Sequence, residues 1–424
     1  MGNLDYTQVL NKIENTRRFG NEPGVVVTAQ VIKVLREKGK QKRIIPYIHV
    51  AGTNGKGSVC AFFSSILKKE HMRVGTFVSP HLVDFEERIT VDGRMISKED
   101  VTRLGNYLLD IDFGIGLTMF DYCLAMALLY FEEQQCDYMV IETGLGGRLD
   151  STNAIGTPQC AVITKIGYDH MAILGSDIAD IAAEKAGIIK ENGTVVVEQQ
   201  DKRAMQVIEQ EAKKKHARII TVEQSDIARC SGYALRLCGT FQWENAAAAE
   251  LAARYVLGKR YSGPEYEMQY DKTEPKSEKT DLNDRIKSAL EEAVWPGRME
   301  IVSKEPFLLV DGAHNSNGVD ALKESLMQMY PGEKFCFFMG VMADKDYDVM
   351  IREILPLAEE FYTVTPDSDR ALQASHLAGF IRKEGVCATE LSGVDEIRKH
   401  LKRDTKNVAF GSLYFIGELK QHRI

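Results

Sequence analysis

His49-Val-Ala-Gly-Thr-Asn-Gly-Lys-Gly-Ser58 is the stretch on which the reading of this chain turns. An apolar run at 44–51 enters a glycine-rich turn, and residues 57–70 follow with apolar positions at helical spacing. Glycines let backbone N–H groups point inward around a polyphosphate, and a helix N-terminus adds donors and partial positive charge. Lys56 would reach the outer phosphates, and Ser58 would place its hydroxyl on a magnesium ion. The usual pattern G-x-x-x-x-G-K-[ST] is not met strictly, because Gly57 separates Lys56 from Ser58. Alone, the loop says nucleotide phosphates and no more.

Outward from it, the pattern is strand, loop, helix, repeated. Strands are expected at 73–79, 137–142, 161–166 and 194–198, with helices at 118–135 and 177–188. This alternation predicts an α/β fold: a P-loop-type, mostly parallel sheet flanked by helices. Around 258–284 the composition becomes polar and charged, as in a linker or surface insertion. Beyond it, apolar runs at 299–303, 307–310, 334–340, 360–364 and 407–411 alternate with helical stretches. They predict a smaller C-terminal α/β domain beginning near Trp295, dividing the chain into residues 1–294 and 295–424.

The 424 residues carry a formal net charge of -8, and no basic stretch has the footprint of a nucleic-acid binder. Eight cysteines form no CxxC pair, so they read as free thiols in a reducing compartment. No window approaches the roughly 18 apolar residues a membrane span needs. The expectation is a cytoplasmic protein with small-molecule substrates, no nucleic acid and no membrane.

Chemistry-bearing residues cluster at strand ends. Glu142 closes the strand at 137–142, where a carboxylate faces the crevice and can hold magnesium. The next strand ends near Asp169-His170, so His170 could share that metal; a helix-capping Asp169 and a packed His170 is the structural alternative. Lys185, in EKAGIIK, is by pattern equally a solvated lysine at a helix end. In the second half, Asp311 of FLLVDGAHN could hydrogen-bond ribose, and His314 could meet phosphate or a reacting oxygen. Arg298, in Trp295-Pro-Gly-Arg298, could clamp a phosphate. Gln242 and Asn245 lie on a helical stretch at 241–256, where amides could read an adenine edge or simply face solvent.

Together and in order, HVAGTNGKGS, SPHLVDFEERI, VIETGLGGRLDSTN, ITKIGYDH, EKAGIIK, FQWEN, WPGRMEIV, LVDGAHNSNG, GVMADKDY and GSLYFIGEL cover most of the chain. They resemble the folylpolyglutamate synthase and dihydrofolate synthase family, part of the ATP-dependent amide ligases that include the Mur ligases. The resemblance implies ATP and Mg2+ as cofactors, and L-glutamate and a folate, tetrahydrofolate or dihydropteroate, as substrates of a monomer. It implies that Thr53, Asn54, Gly55, Lys56, Gly57, Ser58, Asn245, Arg298 and Asp311 bind ATP, and that Ser58, Ser79, Glu142, His170 and a carbamylated Lys185 hold the metal. Lys56, Lys185, Arg298 and His314 would be the catalytic set. Ser79, Pro80, His81, Thr118, Phe120, Asp121 and Asp150 would line the folate side, with Asp344, Lys345 and Ser412 on the C-terminal side.

The family often carries Pro-Gly-Leu-Glu-Arg near the N-terminus, where this chain has Pro23-Gly-Val-Val-Val27. A Phe-Glu pair becomes Phe120-Asp121, and a common threonine is Leu124. The phosphate chemistry is complete; pteridine recognition is altered. A peptidoglycan ligase is disfavoured because only 51 residues precede Gly52, too few for a preceding nucleotide-sugar domain. A phosphate-loop kinase or NTPase would leave DGAHN and GSLY unexplained.

Overall fold

A computed structural model describes residues 4–16, 20–261 and 282–422. Most of the charged stretch at 258–284 lies outside the described residues. The chain divides into two compact units. The first comprises Met1–His81, Phe85–Ala234 and Glu244–Ala293; the second comprises Leu82–Asp84, Leu235–Trp243 and Val294–Ile424.

Among the described residues the first unit contains an eight-stranded sheet. Its strands are β1 (Tyr47–Ala51), β2 (Val74–Phe77), β3 (Ile89–Val91), β4 (Arg94–Met95), β5 (Tyr138–Glu142), β6 (Cys160–Ile163), β7 (Thr194–Val197) and β8 (Arg218–Thr221), in the order β4-β3-β2-β5-β1-β6-β7-β8. Only β3 is reversed, pairing antiparallel with β2 on one side and with β4 on the other. Every residue of β1, β2, β5, β6 and β7 is buried, as in strands covered on both faces. One apolar cluster joins Phe77 and Ile141 to the helices Gly24–Glu37 and Met119–Glu133; another joins Ala51, Ile163 and Val197 to the helix Ile178–Ala186.

Register aligns the strand ends that matter. Val50 pairs with Glu142, Ala51 with Ile163, and Phe77 with Ile141. Glu142 therefore lies beside Val50, two residues before Gly52, at the carboxyl edge of the sheet, where open α/β folds bind ligands.

Among the described residues the second unit holds a six-stranded sheet, ordered β13-β12-β11-β14-β10-β9. Its strands are β9 (Glu300–Lys304), β10 (Phe307–Val310), β11 (Phe335–Met339), β12 (Ala358–Thr363), β13 (Cys387–Glu390) and β14 (Lys406–Phe410). Only β9 is antiparallel to its neighbour.

Among the strands, the structure departs from the sequence reading in three places. The first strand begins at Tyr47, not at 44; Ile44 is exposed ahead of Pro46, which lacks the N–H that a ladder needs. The hairpin β3–β4 and the edge strand β13 were not expected. β13 is mostly exposed, so it lacks the apolar run that marks a buried strand. No helix of the described residues is long and apolar enough to cross a membrane.

Candidate active site

The loop after β1 is stitched down on one side. The N–H groups of Thr53 and Asn54 donate to the Lys165 carbonyl at 2.9 and 3.2 Å. The Thr164 hydroxyl donates to the Asn54 carbonyl at 2.6 Å, and the Thr53 hydroxyl donates to Gly167 O at 3.0 Å. Two glycines are required by space as well as conformation. A Cβ on Gly52 (φ 156°) would lie 1.8 Å from Thr164 Oγ1, and one on Gly55 (φ 88°) 2.2 Å from Asn245 Oδ1. The helix Lys56–Lys69 then starts, with buried Ser58 in its first turn. Its early N–H groups have no intrahelical acceptor, which leaves them for an anion.

Two lysines converge on the loop. Lys56 Nζ donates to the carbonyls of Gly52 and Thr53 at 3.2 and 3.3 Å and lies 3.8 Å from Glu142 Oε1. Lys185 Nζ donates to Gly52 O at 2.8 Å. Lys185 is only 4% exposed. Burial, and then the charge of Lys56, lower its amine to about 7. Glu142 is also buried, and its Oε2 accepts from the Ser79 N–H at 3.2 Å. The structure thus gathers Lys56, Ser58, Ser79, Glu142, Lys185 and Asn245 around one loop. His170 stands at the start of the short helix Met171–Leu174 with φ 52°, its Nε2 3.9 Å from Asp169.

Among the described residues, no three His, Cys, Asp or Glu side chains form a ready-made metal cage. What this corner offers is one buried carboxylate, Glu142, bonded by the Ser79 N–H, and the hydroxyl-bearing Ser58 in the helix turn that follows the loop. That donor set fits a hard divalent cation that keeps waters and phosphate oxygens in its shell.

On the expected folate side, two carboxylates are consumed by the protein itself. Asp121 Oδ2 accepts from Thr118 N and Oγ1 at 2.8 and 2.7 Å, capping the helix Met119–Glu133. Its Oδ1 accepts from Ser151 Oγ at 2.6 Å and, at a long 3.5 Å, from Thr28 Oγ1. Asp150 Oδ2 accepts from the N–H groups of Gly144 and Leu145 at 2.9 and 2.8 Å, and Oδ1 from Thr152 N and Oγ1. In this structure the lone pairs of Asp121 and Asp150 are occupied by the protein's own donors, so both brace the wall on that side. Phe120 packs edge-on against Phe77 at 5.5 Å, and a Cβ on Gly144 would lie 2.7 Å from its ring. His81, beyond the cis Ser79–Pro80 bond, accepts from Arg88 Nε at 2.8 Å through Nδ1. Arg88 was not singled out from the sequence, though it lies within the quoted SPHLVDFEERI; a lone arginine in a motif gives no hint of its burial.

The second unit carries its own group. Asp311 is buried, accepting from Met299 N and Ala313 N at 2.8 Å each. Burial raises its carboxyl, while Arg298, close enough that a Cβ on Gly312 would lie 2.7 Å from its Nη1, pulls it back. His314 Nδ1 is 2.8 Å from the Gly312 carbonyl. A carbonyl only accepts, so Nδ1 carries the proton and the basic nitrogen of neutral His314 is Nε2. Ser412 accepts from Phe415 N as a helix cap, and Arg370 Nη2 donates to both oxygens of Asp344, next in sequence to Lys345.

A parallel sheet whose glycine loop is flanked by two lysines and a carboxylate, in a chain with a second α/β unit, defines a class. Residues 50–253 match the Mur ligase middle domain, and residues 297–411 the Mur ligase glutamate ligase domain. The dihydrofolate synthase/folylpolyglutamate synthase of Bacillus subtilis (strain 168) is 33% identical over 454 residues, covering 98% of each chain. The chain belongs to the folylpolyglutamate synthase/dihydrofolate synthase family of ligases. Among solved structures, it is similar to E. coli FolC in complex with DHPP and ADP (TM-score 0.80, 26% identity, covering 99% of this chain and 97% of that one). It is similar also to a bifunctional folylpolyglutamate synthase/dihydrofolate synthase from Yersinia pestis complexed with AMPPNP and Mn ion (TM-score 0.81, 25% identity, covering 99% and 98%).

Proposed function

We propose that this chain uses ATP with Mg2+ to join L-glutamate to the terminal carboxylate of tetrahydrofolate, with dihydropteroate as a second acid. Residues 1–294 would form the ATP-binding domain and residues 295–424 the amino-acid ligase domain of a monomeric, cytoplasmic enzyme. The observation that carries the reading is the convergence of Lys56 and Lys185 on the Gly52 carbonyl, with Glu142 3.8 Å from Lys56. All eight cysteines are free, six of them buried, which suits a reducing compartment.

The reaction has a leaving-group problem. A carboxylate oxygen leaves poorly, so the acid first takes the γ-phosphoryl group of ATP, giving an acyl phosphate and ADP. The glutamate amine then adds to that carbonyl, an amide bond forms, and phosphate departs. The loop N–H groups and Lys56 would hold the phosphates and offset charge as the phosphoryl group moves. Ser58, Ser79, Glu142 and His170 would hold the divalent ion, which when bound screens the phosphate oxygens. Lys185, a neutral amine for much of its population near pH 7, would add CO2 and lose a proton, presenting an anionic carbamate oxygen to the same ion. Arg298 would meet phosphate, Asn245 and Asp311 the nucleoside, and Asp344, Lys345 and Ser412 the C-terminal side of the substrates. His314, with its basic nitrogen at Nε2, would take the proton that the glutamate amine sheds.

Mass spectrometry of tetrahydrofolate and dihydropteroate, each incubated with ATP, magnesium and glutamate, tests this. Growth of the first by glutamate units is expected, as is conversion of the second to dihydrofolate. ATP consumption with neither product would point to another amide ligase or an NTPase.

A further inference from the structure

The 3₁₀ turn Phe85–Arg88 carries two charges that nothing else in the described protein neutralises. Glu86 is buried, and neither carboxylate oxygen has a donor. Its oxygens are sealed from solvent, so no ligand reaches them as they stand. Arg88 differs. It is 8% exposed, its Nε donates to His81 Nδ1 at 2.8 Å, and its carbonyl accepts from Val78 N at 3.0 Å. Among the described residues, no carboxylate pairs with its guanidinium. Its two terminal nitrogens donate to nothing, and neither is sealed from solvent. A guanidinium that has lost most of its water and gained no counter-charge is costly, and an anion that docks on it restores the balance.

Its neighbours say which anion. The charge of Arg88 is felt at the Cys123 thiol, which burial pushes up to about 11 and Arg88 pulls down. Cys123 lies on the helix Met119–Glu133, so the guanidinium is within electrostatic reach of that helix, which also carries Asp121, whose lone pairs are already filled. On the other side, His81 ties it to the segment whose Ser79 N–H donates to Glu142. Arg88 is thus one short segment away from the carboxylate of the phosphate corner. A planar fork open to solvent is built for two-armed pairing with a carboxylate. Were that the reacting carboxylate, the fork would tie up the lone pairs that must attack phosphorus. A second, spectator carboxylate on the same substrate suffers no such conflict.

We propose that Arg88 binds the non-reacting α-carboxylate of a glutamyl tail whose γ-carboxylate is activated at Lys56. This rests on the function proposed above. Dihydropteroate, whose only carboxylate is the reacting one, gains nothing from Arg88. The residue therefore sets a preference for acids that already carry a glutamyl unit.

The test compares binding, by calorimetry, of tetrahydrofolate and of its analogue with an α-carboxamide in place of the α-carboxylate. The wild-type protein is expected to hold the acid roughly 10- to 100-fold more tightly. Arg88→Met, which keeps length and removes charge, should reduce that ratio to about one. In turnover, it should raise KM for tetrahydrofolate while leaving kcat, and both constants for dihydropteroate, within about twofold. Arg88→Lys, which keeps charge without the fork, should keep part of the ratio, and it decides the matter if the methionine variant melts early. A wild-type protein that binds acid and amide alike, or a methionine variant that still prefers the acid, overturns the inference. Binding of neither ligand to the wild type would sink the proposed function itself, and this inference with it.

Discussion

Lys185 pays for its place in the fold with an unfavourable protonation equilibrium. Its amine titrates near 7 when folded, against an ordinary lysine value of 10.5, because burial and the charge of Lys56 oppose the ammonium. Between those values the unfolded chain binds more protons than the folded one, so stability rises with pH across the window; below pH 7 the full cost is present. The shift corresponds to roughly 5 kcal/mol as an upper bound. In CO2-free buffer, Lys185→Met should therefore melt higher than wild type at pH 7, by a margin that shrinks toward pH 10. Equal melting at pH 7 would mean the amine is hydrated. The same shift raises the neutral-amine fraction near pH 7 on the order of a thousandfold over an ordinary lysine, the form that adds CO2. Labelled bicarbonate should give a carbamate NMR signal that fades below pH 7 and is absent in Lys185→Met. Lys56→Ala should lower product formation by at least roughly 10²-fold, read by ATP-dependent glutamate addition, with melting little changed. The residue types at the phosphate corner were legible because glycine, lysine and a strand-end carboxylate sit at fixed spacing. The opposite wall was not. Nothing in the sequence marks the bonds by which Asp121 and Asp150 brace that wall; only the folded positions of their donors show them.

At the scale of elements, the strand–loop–helix unit around Gly52 depends on bare backbone. Gly52→Ala would bring a Cβ within 1.8 Å of Thr164 Oγ1, so the loop must leave β6. The variant should stay folded yet lose nucleotide affinity at least roughly tenfold, measured by calorimetry with a non-hydrolysable ATP analogue; unchanged affinity would show that the stitched loop does not form the phosphate site. The buried parallel strands were readable as short apolar runs between helices, since burial on both faces leaves no alternation to confuse them. The hairpin β3–β4 escaped, although its turn is plain in retrospect. Asp92 and Gly93 both adopt positive φ, 52° and 77°, as a two-residue hairpin turn demands. Two strands of three and two residues are too short for periodicity to register. The helix Gly24–Glu37 is hard to read for a different reason. Its first turn follows Pro23 and has no side-chain cap, so the usual start signal is missing.

At the scale of the whole chain, the second unit is assembled from three separate pieces of sequence, of which only Val294–Ile424 is continuous with its sheet. The composition change near 258–284 made a cut near Trp295 attractive, but composition cannot show that short upstream segments return to pack elsewhere. Leu82 packs against the apolar cluster around Phe338 and Phe415, and its carbonyl would lie 1.9 Å from a Cβ on Gly417. Cys238 and Phe241 pack against the cluster around Phe337 and Leu326, and Thr240 N donates to Ser325 Oγ at 3.0 Å. Half-burying a leucine and a phenylalanine is worth roughly 1–3 kcal/mol together, a large share of what a domain of this size can spare. A fragment of residues 294–424 should therefore fold less stably than its own sheet suggests, binding an apolar dye and melting early. A fusion that restores residues 235–243 should raise its melting temperature by several degrees and reduce dye binding. If the bare fragment melts as sharply and as high as the fusion, the upstream segment contributes nothing, and a cut at Trp295 is the better description of where one unit ends.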